Sequence, residues 1–452
     1  MKKRIISLGS THIIMLGFFL TIMIGSLLLW LPISHAEGVA VSYIDALFTS
    51  TTATCVTGLV TLPTVTTWSL FGQIIILFLI QIGGLGIITV MSGIMIAFHK
   101  KMGIGDRLLL QNSFNLNSLS GLVRFVKRVI KGTLLVEGLG ALIYMTVFVP
   151  EFGLKGIWIS VFNSVSAFCN AGIDIIAENS LCNYACNPVI NIVTSLLIIS
   201  GGIGYIVWWD LIRVSKLFPK KGLRSFKNLT LGSKISIYMS IFLILGGGLC
   251  FFAFEYNNPL TIGDLSLFDK LQVSFFQSVT TRTAGFATLD QQNLSNSSAI
   301  LSLLLMFIGG SPVGTAGGVK TVTVAVLLIS AFATVKNKQE AAVFNRNISA
   351  EALKKAIAVV TMSFIIMFVA TLLLSICTDA AAIDIFYETV SATATVGLTR
   401  NLTQNLNLFG KIIIIITMYL GRIGPISLAI AFNIKNDNKN IIKNPIEEIS
   451  VG

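Results

Sequence analysis

Hydrophobic and polar positions along the chain fall into a regular alternation of long apolar runs and short mixed ones. Eight runs are long enough to cross a bilayer as helices, for which about 20 residues suffice. They are Ile13 to Leu31, Leu70 to Phe98, Gly132 to Val149, Val189 to Trp209, Ile235 to Phe254, Ala299 to Val335, Ala356 to Cys377 and Ile412 to Ile434. The first is preceded by MKKR and followed by SHA, the layout of a secretion signal, but it is longer than a signal core and reads as a helix that stays. Between alternate pairs lie DALFTSTTA from Asp45, IWISVFNSVSA from Ile157, DKLQVSFFQSVT from Asp269 and DIFYETVSA from Asp384. These are too short to span and predict re-entrant half-helices. The order span, half-helix, span, repeated four times, predicts an all-α integral membrane protein with eight transmembrane helices.

Composition supports that reading. Of 452 residues 54% are hydrophobic and only 12% charged, about half the charge of a soluble domain, so a soluble enzyme is excluded. The net charge of +12 would suggest nucleic acid if its placement were not topological. Assigning both termini and the loops after the second, fourth and sixth spans to one side gathers 25 of the 32 basic residues there with seven acids. The other side holds twelve acids and five bases. The positive-inside rule then puts both termini in the cytoplasm and leaves no case for nucleic acid.

Four segments share a register. TATCVTGL (Thr52 to Leu59), SAFCNAGI (Ser166 to Ile173), VTTRTAGF (Val279 to Phe286) and SATATVGL (Ser391 to Leu398) align on Gly58, Gly172, Gly285 and Gly397, which recur at nearly equal intervals along the chain. The implied units are 1–112, 113–225, 226–345 and 346–452, the last ending in a cytoplasmic tail. Each unit crosses twice, so all four are parallel and can surround an axis along the membrane normal. Small, uncharged residues ending in glycine suit a carbonyl-lined ion filter, because carbonyls facing one axis push alternate residues toward positive φ. The candidate filter residues are Thr54, Cys55, Val56, Thr57 and Gly58; Phe168, Cys169, Asn170, Ala171 and Gly172; Thr281, Arg282, Thr283, Ala284 and Gly285; and Thr393, Ala394, Thr395, Val396 and Gly397. Half-helices aiming their carboxyl ends at the axis would favour a cation there, and potassium sheds water for carbonyls most readily.

The run Ala299 to Val335 would be roughly 55 Å long as one helix, against about 30 Å of hydrocarbon. Its middle carries Gly309, Gly310, Ser311, Pro312, Gly314, Thr315, Ala316, Gly317 and Gly318, so it is predicted to break into a loop and form a gate beneath the filter, with Lys320 at its end. A second repeat is formed by QIGGLG at Gln81, ISGGIG at Ile199, FIGGSP at Phe307 and YLGRIG at Tyr419. It places Gly83, Gly201, Gly309 and Gly421 at similar offsets beyond the four filter glycines. In the fourth copy Arg422 replaces a glycine. An arginine at that depth must face water or a partner, and is predicted to oppose cations and bond carbonyls of the loop.

With these motifs the chain resembles the Trk/Ktr/HKT superfamily of potassium transporters over essentially its full length, and within it the eight-span membrane subunits of bacterial Ktr systems. The resemblance implies potassium uptake with sodium as a possible activator, a homodimer with one pore per chain, and gating by a cytosolic nucleotide-binding RCK ring of the KtrA type. It also implies a bacterial plasma-membrane location and an intramembrane gating loop. Glycine at all four filter positions matches the potassium-selective members, whereas relatives with serine at the first pass sodium. No cofactor is implied in the chain itself.

Two other readings compete: an ion-coupled transporter for another solute, which would favour inverted repeats and midplane carboxylates, and a scaffold without transport. An enzyme lacks support, since paired carboxylates, an activated nucleophile and metal spacing are missing from the sequence. Asp45 and Asp384, each at the same offset before a filter glycine, are expected either to cap their half-helices or to concentrate cations. Arg282 and Asn170 are expected to brace the filter from behind, Glu137 to pair within a helix interface, and Cys182 and Cys186 to be disulfide candidates if outside the cell.

Overall fold

The computed structural model describes residues 10–98, 103–113, 121–338 and 340–424. Four long helices lead the four units: Ser10–Trp30, Leu122–Phe152, Leu231–Glu255 and Ala350–Cys377. All four are long and apolar enough to span a membrane. Their outward faces carry exposed leucine, isoleucine and phenylalanine, as lipid contact requires.

Each long helix is followed by a half-helix: Tyr43–Cys55, Lys155–Cys169, Leu267–Thr280 and Ala382–Ala394. All four start two residues before the positions read from sequence. Serine caps explain two of these starts. Ser42 and Ser266 accept bonds from the backbone N–H of Asp45 and Asp269, and donate their own hydroxyl protons to the same aspartates. This reciprocal cap satisfies donors that the first turn leaves open. The carboxyl-terminal halves of the half-helices are buried, whereas the third keeps Leu267, Phe268, Leu271 and Phe275 exposed along one face.

The inner spans differ from the sequence reading, which expects Leu70 to Phe98 and Val189 to Trp209 to cross without interruption. The chain instead turns by 99° between Leu70–Leu85 and Ile87–Ile96, and by 97° between Pro188–Gly202 and Tyr205–Ser215. Gly86 and Gly204 sit at these corners with φ of +84° and +91°, a region glycine enters without steric cost. The third inner span is interrupted, as expected, into Asn296–Phe307 and Thr321–Val335. The fourth is described as Leu408–Ile423; its predicted continuation to Ile434, the rest of the tail and the amino-terminal basic residues lie outside the described residues.

Asp45 and Asp384 are held in ion pairs. Lys411 Nζ lies 2.5 Å from Asp45 Oδ1, and Arg400 Nε lies 2.7 Å from Asp384 Oδ1. Each pair ties the start of a half-helix to a neighbouring segment, a role expected for neither; Asp45 also shares in the Ser42 cap, whereas Ala381 at the start of the fourth half-helix makes no side-chain cap bond. Cys182 and Cys186 are free thiols, and Cys182 points its Sγ at Ala287 O. Glu137 does sit in a helix interface, where Gln81 Nε2 donates to it at 3.3 Å.

Candidate functional site

Each half-helix runs straight into its glycine segment, and the four segments meet. A Cβ placed on Gly58 would lie 2.6 Å from Ala171 O and 3.2 Å from the Cα atoms of both Gly172 and Gly397. The same test on Gly172 finds Gly285 Cα at 2.7 Å, and on Gly397 finds Gly58 Cα at 2.8 Å. The glycines therefore form a closed ring in chain order, one from each unit. Their φ angles are +97°, +63°, +83° and +98°.

The residue two before each glycine is also in the left-handed region: Val56 at +55°, Asn170 at +60°, Thr283 at +63° and Thr395 at +51°. Positive φ at alternate positions is what turns successive carbonyls to one side. Three of these residues are β-branched, for which the conformation costs roughly 1–2 kcal/mol each, so the surrounding packing must hold it. Part of that hold comes from hydroxyls that the sequence reading treats only as small and polar. Thr52 Oγ1 and Ser391 Oγ accept from the N–H of Gly58 and Gly397 at 2.9 and 3.0 Å. Ser166 Oγ and Thr280 Oγ1 donate to Ile173 O and Phe286 O at 2.5 and 2.6 Å. Thr52, Ser166 and Ser391 occupy equivalent places in the aligned strings, a match visible in the sequence; in the third unit the hydroxyl moves by one position. The hydroxyls of Thr54, Thr57, Thr393 and Thr395 are buried at the same junction without a protein partner.

The glycines of the inner spans explain themselves by proximity. A side chain at Gly83, Gly201 or Gly421 would overlap the carbonyl of Thr54, Phe168 or Thr393, in each case the first of the candidate filter residues of its unit. Gly309 makes no such approach. It packs against Gly317 of its own loop and accepts a bond from Arg282 Nη2 at 3.1 Å.

The Gly309–Gly318 loop packs directly against the glycine segments of the second, third and fourth units. Thr315 Oγ1 is 3.0 Å from both Phe168 O and Asn170 Oδ1, and Gly317 N donates to Thr283 Oγ1 at 3.1 Å. Gly317 also abuts Ala394 and Thr395. The loop leans on the second unit as well, through Ser311 N to Gly202 O at 2.8 Å and Thr315 N to Gly201 O at 3.1 Å. Arg422 closes the arrangement: Nη1 donates to Thr315 O at 2.8 Å and Nη2 to Gly83 O at 2.5 Å. Lys320 Nζ turns back onto the loop and donates to Ala316 O at 2.6 Å. Thus the loop and the arginine that holds it join residues of all four units.

Charge differs on the two sides of this ring. An outer cavity of about 670 Å³, on the side of the ring away from the Gly309–Gly318 loop, opens onto all four glycines and is lined by Asp174, Glu178 and Asp290, with no lysine or arginine in its wall. An inner cavity of about 340 Å³, beside Gly317 and Thr393, is lined by Lys320 and Arg422. Such an arrangement favours cations in the first cavity and opposes them in the second. In the outer cavity burial pushes the Asp174 carboxyl up to about 6, against the bonds it accepts from Ser180 and the N–H groups of Ile176 and Ala177. A carboxyl raised above its unfolded value of about 3.9 burdens the folded state fully above about pH 6, and that burden is relieved as pH falls from there. Asp174→Asn is accordingly expected to raise the melting temperature at about pH 7.5 while lowering uptake of dilute Rb⁺. It should also abolish a decline in wild-type uptake as external pH drops through about 6. Proteoliposome flux across that pH range, read beside a thermal melt, tests both signs.

The geometry agrees with three comparisons. A family model described as TrkH, cation transport protein, matches residues 10–444. Ktr system potassium uptake protein B of Bacillus subtilis is 40% identical over 98% of this chain and 96% of its own length. Potassium/sodium uptake protein NtpJ of Enterococcus hirae is 38% identical over 100% of this chain and 99% of its own length. The crystal structure of the potassium transporter TrkH from Vibrio parahaemolyticus superposes with a TM-score of 0.76 at 18% identity, covering 95% of this chain and 86% of that one, so the architecture is shared. A quadruplicated helical membrane fold with this sequence likeness over nearly its whole length belongs to the TrkH family of cation transport proteins.

Proposed function

We propose that the chain conducts K⁺ across the plasma membrane through the ring at Gly58, Gly172, Gly285 and Gly397, with the Gly309–Gly318 loop and Arg422 as the gate on its cytoplasmic side. The observation that carries the proposal is the meeting of four segments, each with positive φ at its glycine and again two residues before it. That backbone presents carbonyls to one axis, the device by which an ion's hydration shell is replaced. The units 1–112, 113–225, 226–345 and 346–452 each supply one quarter of the ring. The names of the relatives, potassium uptake for one and potassium/sodium uptake for another, support K⁺ as the cargo with Na⁺ as a second cation that acts on it. The charge of the loops supports cytoplasmic termini, on the side where a nucleotide-binding RCK ring would engage a homodimer and move the loop.

Purified protein in K⁺-loaded liposomes is expected to take up ⁸⁶Rb⁺, with external K⁺ competing at concentrations at which Na⁺ does not. Absence of flux, or equal competition by the two ions, would sink the proposal.

A further inference from the structure

A second pocket lies on the face that carries the basic loops, remote from the ring. It has a volume of about 610 Å³ and is lined by Arg128, Arg213 and Lys216 together with Ile206, Trp209 and Ile212. Two elements build it. One is the helix Tyr205–Ser215, which leaves the preceding span at 97° and so runs along the membrane surface. The other is the foot of Leu122–Phe152, where the Arg128 guanidinium sits 5.7 Å from the centre of the Trp209 ring. The carboxylate in the wall, Asp210, is already used. Its Oδ1 pairs with Arg213 at 2.5 Å, and its Oδ2 accepts from the N–H and hydroxyl of Thr230 at 2.8 and 3.0 Å. Among the described residues no carboxylate pairs with Arg128 or Lys216. The Trp209 Nε1–H is buried without an acceptor. Three cations, one neutralised, and an unused indole donor therefore converge on one pocket.

Depth decides what fills it. The part of the helix from Arg128 to Phe152 is about 36 Å long, so Arg128 lies just past about 30 Å of hydrocarbon at the level of lipid headgroups. Leu135, Leu139 and Leu142 lie on the same helix face as Arg128, beyond Lys131 and Gly132, and are 62%, 54% and 61% exposed. An acyl chain has an apolar track leading up from the pocket, which a soluble anion would not need.

We propose that this pocket binds the phosphate of an anionic phospholipid, with Arg128 and Lys216 as its charge partners, Trp209 Nε1–H as donor, and one acyl chain along Leu135, Leu139 and Leu142. The phosphate chemistry would also suit a free anion, so the test separates the two sources. Detergent-purified protein is titrated with phosphatidylglycerol, phosphatidylcholine or inorganic phosphate, and bound lipid is counted by native mass spectrometry. Wild type is expected to retain phosphatidylglycerol in preference to phosphatidylcholine, with millimolar phosphate unable to displace it. The Arg128→Gln/Lys216→Gln double variant should lose roughly 25-fold in apparent affinity, about 5-fold per cation. If the double variant does not elute as the wild type does, the exposed single change Lys216→Gln reads the same quantity at about 5-fold. Equal retention of both lipids, unchanged affinity in the variants, or displacement by phosphate each overturns the proposal. Binding is read without ion flux, so its failure leaves the conduction proposal standing.

Discussion

Alanine at Gly58 is expected to lower ⁸⁶Rb⁺ uptake on the order of 100-fold and to erase the preference for K⁺ over Na⁺ in what remains. Gly58 has a φ of +97°, and its missing side chain is the space occupied by Ala171 O, 2.6 Å from where a Cβ would stand. The added methyl must either push the neighbouring unit's carbonyl off the axis or rotate its own backbone out of the left-handed region. The second route recovers only the roughly 1–2 kcal/mol of strain and destroys the carbonyl's aim. Both displace a coordinating oxygen, and an ion stripped of water depends on every one. Gly246→Ala is the control: it lies in the membrane helix Leu231–Glu255 with nothing within 4 Å of its would-be Cβ, so uptake should be unchanged. Full activity in the Gly58 variant would remove the ring from the pathway.

Changing Arg422 to glutamine should raise flux about 10-fold. The guanidinium bridges Thr315 O in the loop and Gly83 O in the first unit. A hydrogen bond to a charged group contributes about 1.5–3 kcal/mol, so losing one of the two, with glutamine able to keep the other, shifts a closed-to-open equilibrium by about tenfold. Glutamine also removes a positive charge from the inner cavity, which acts in the same direction for a cation. Lysine at the same position keeps the charge and loses the two-pronged reach, so it should fall between wild type and glutamine. Flux that falls or stays level in the glutamine variant would show that Arg422 does not hold the loop closed.

Much of the site is legible in the sequence because its causes are local or repeated. Gly58, Gly172, Gly285 and Gly397 announce themselves by spacing, and the length of Ala299 to Val335 forces a break that its five glycines and proline locate. The half-helices read two residues too short at each start, and for two of them the reason is that Ser42 and Ser266 cap from outside the apolar pattern. The bends at Gly86 and Gly204 escape the sequence for a different reason. Apolar runs as long as Leu70 to Phe98 and Val189 to Trp209 look like uninterrupted crossings, and the QIGGLG and ISGGIG turns contain no proline to mark a corner. Asp45 and Asp384 could not be assigned from sequence, since their partners Lys411 and Arg400 lie 366 and 16 residues away.

The sequence by itself determined the membrane solvent, the four parallel units and the shared register of their glycines, since apolar length, charge placement and a near-constant repeat need no folding to be read. Only the tertiary structure decided what each unit supplies to the others. The Thr315 hydroxyl under Phe168 and the Arg422 guanidinium between Thr315 and Gly83 join residues 107 to 339 positions apart. Such contacts arise when four separately encoded units close on one axis, where burial leaves each polar group to find its partner on a neighbouring unit.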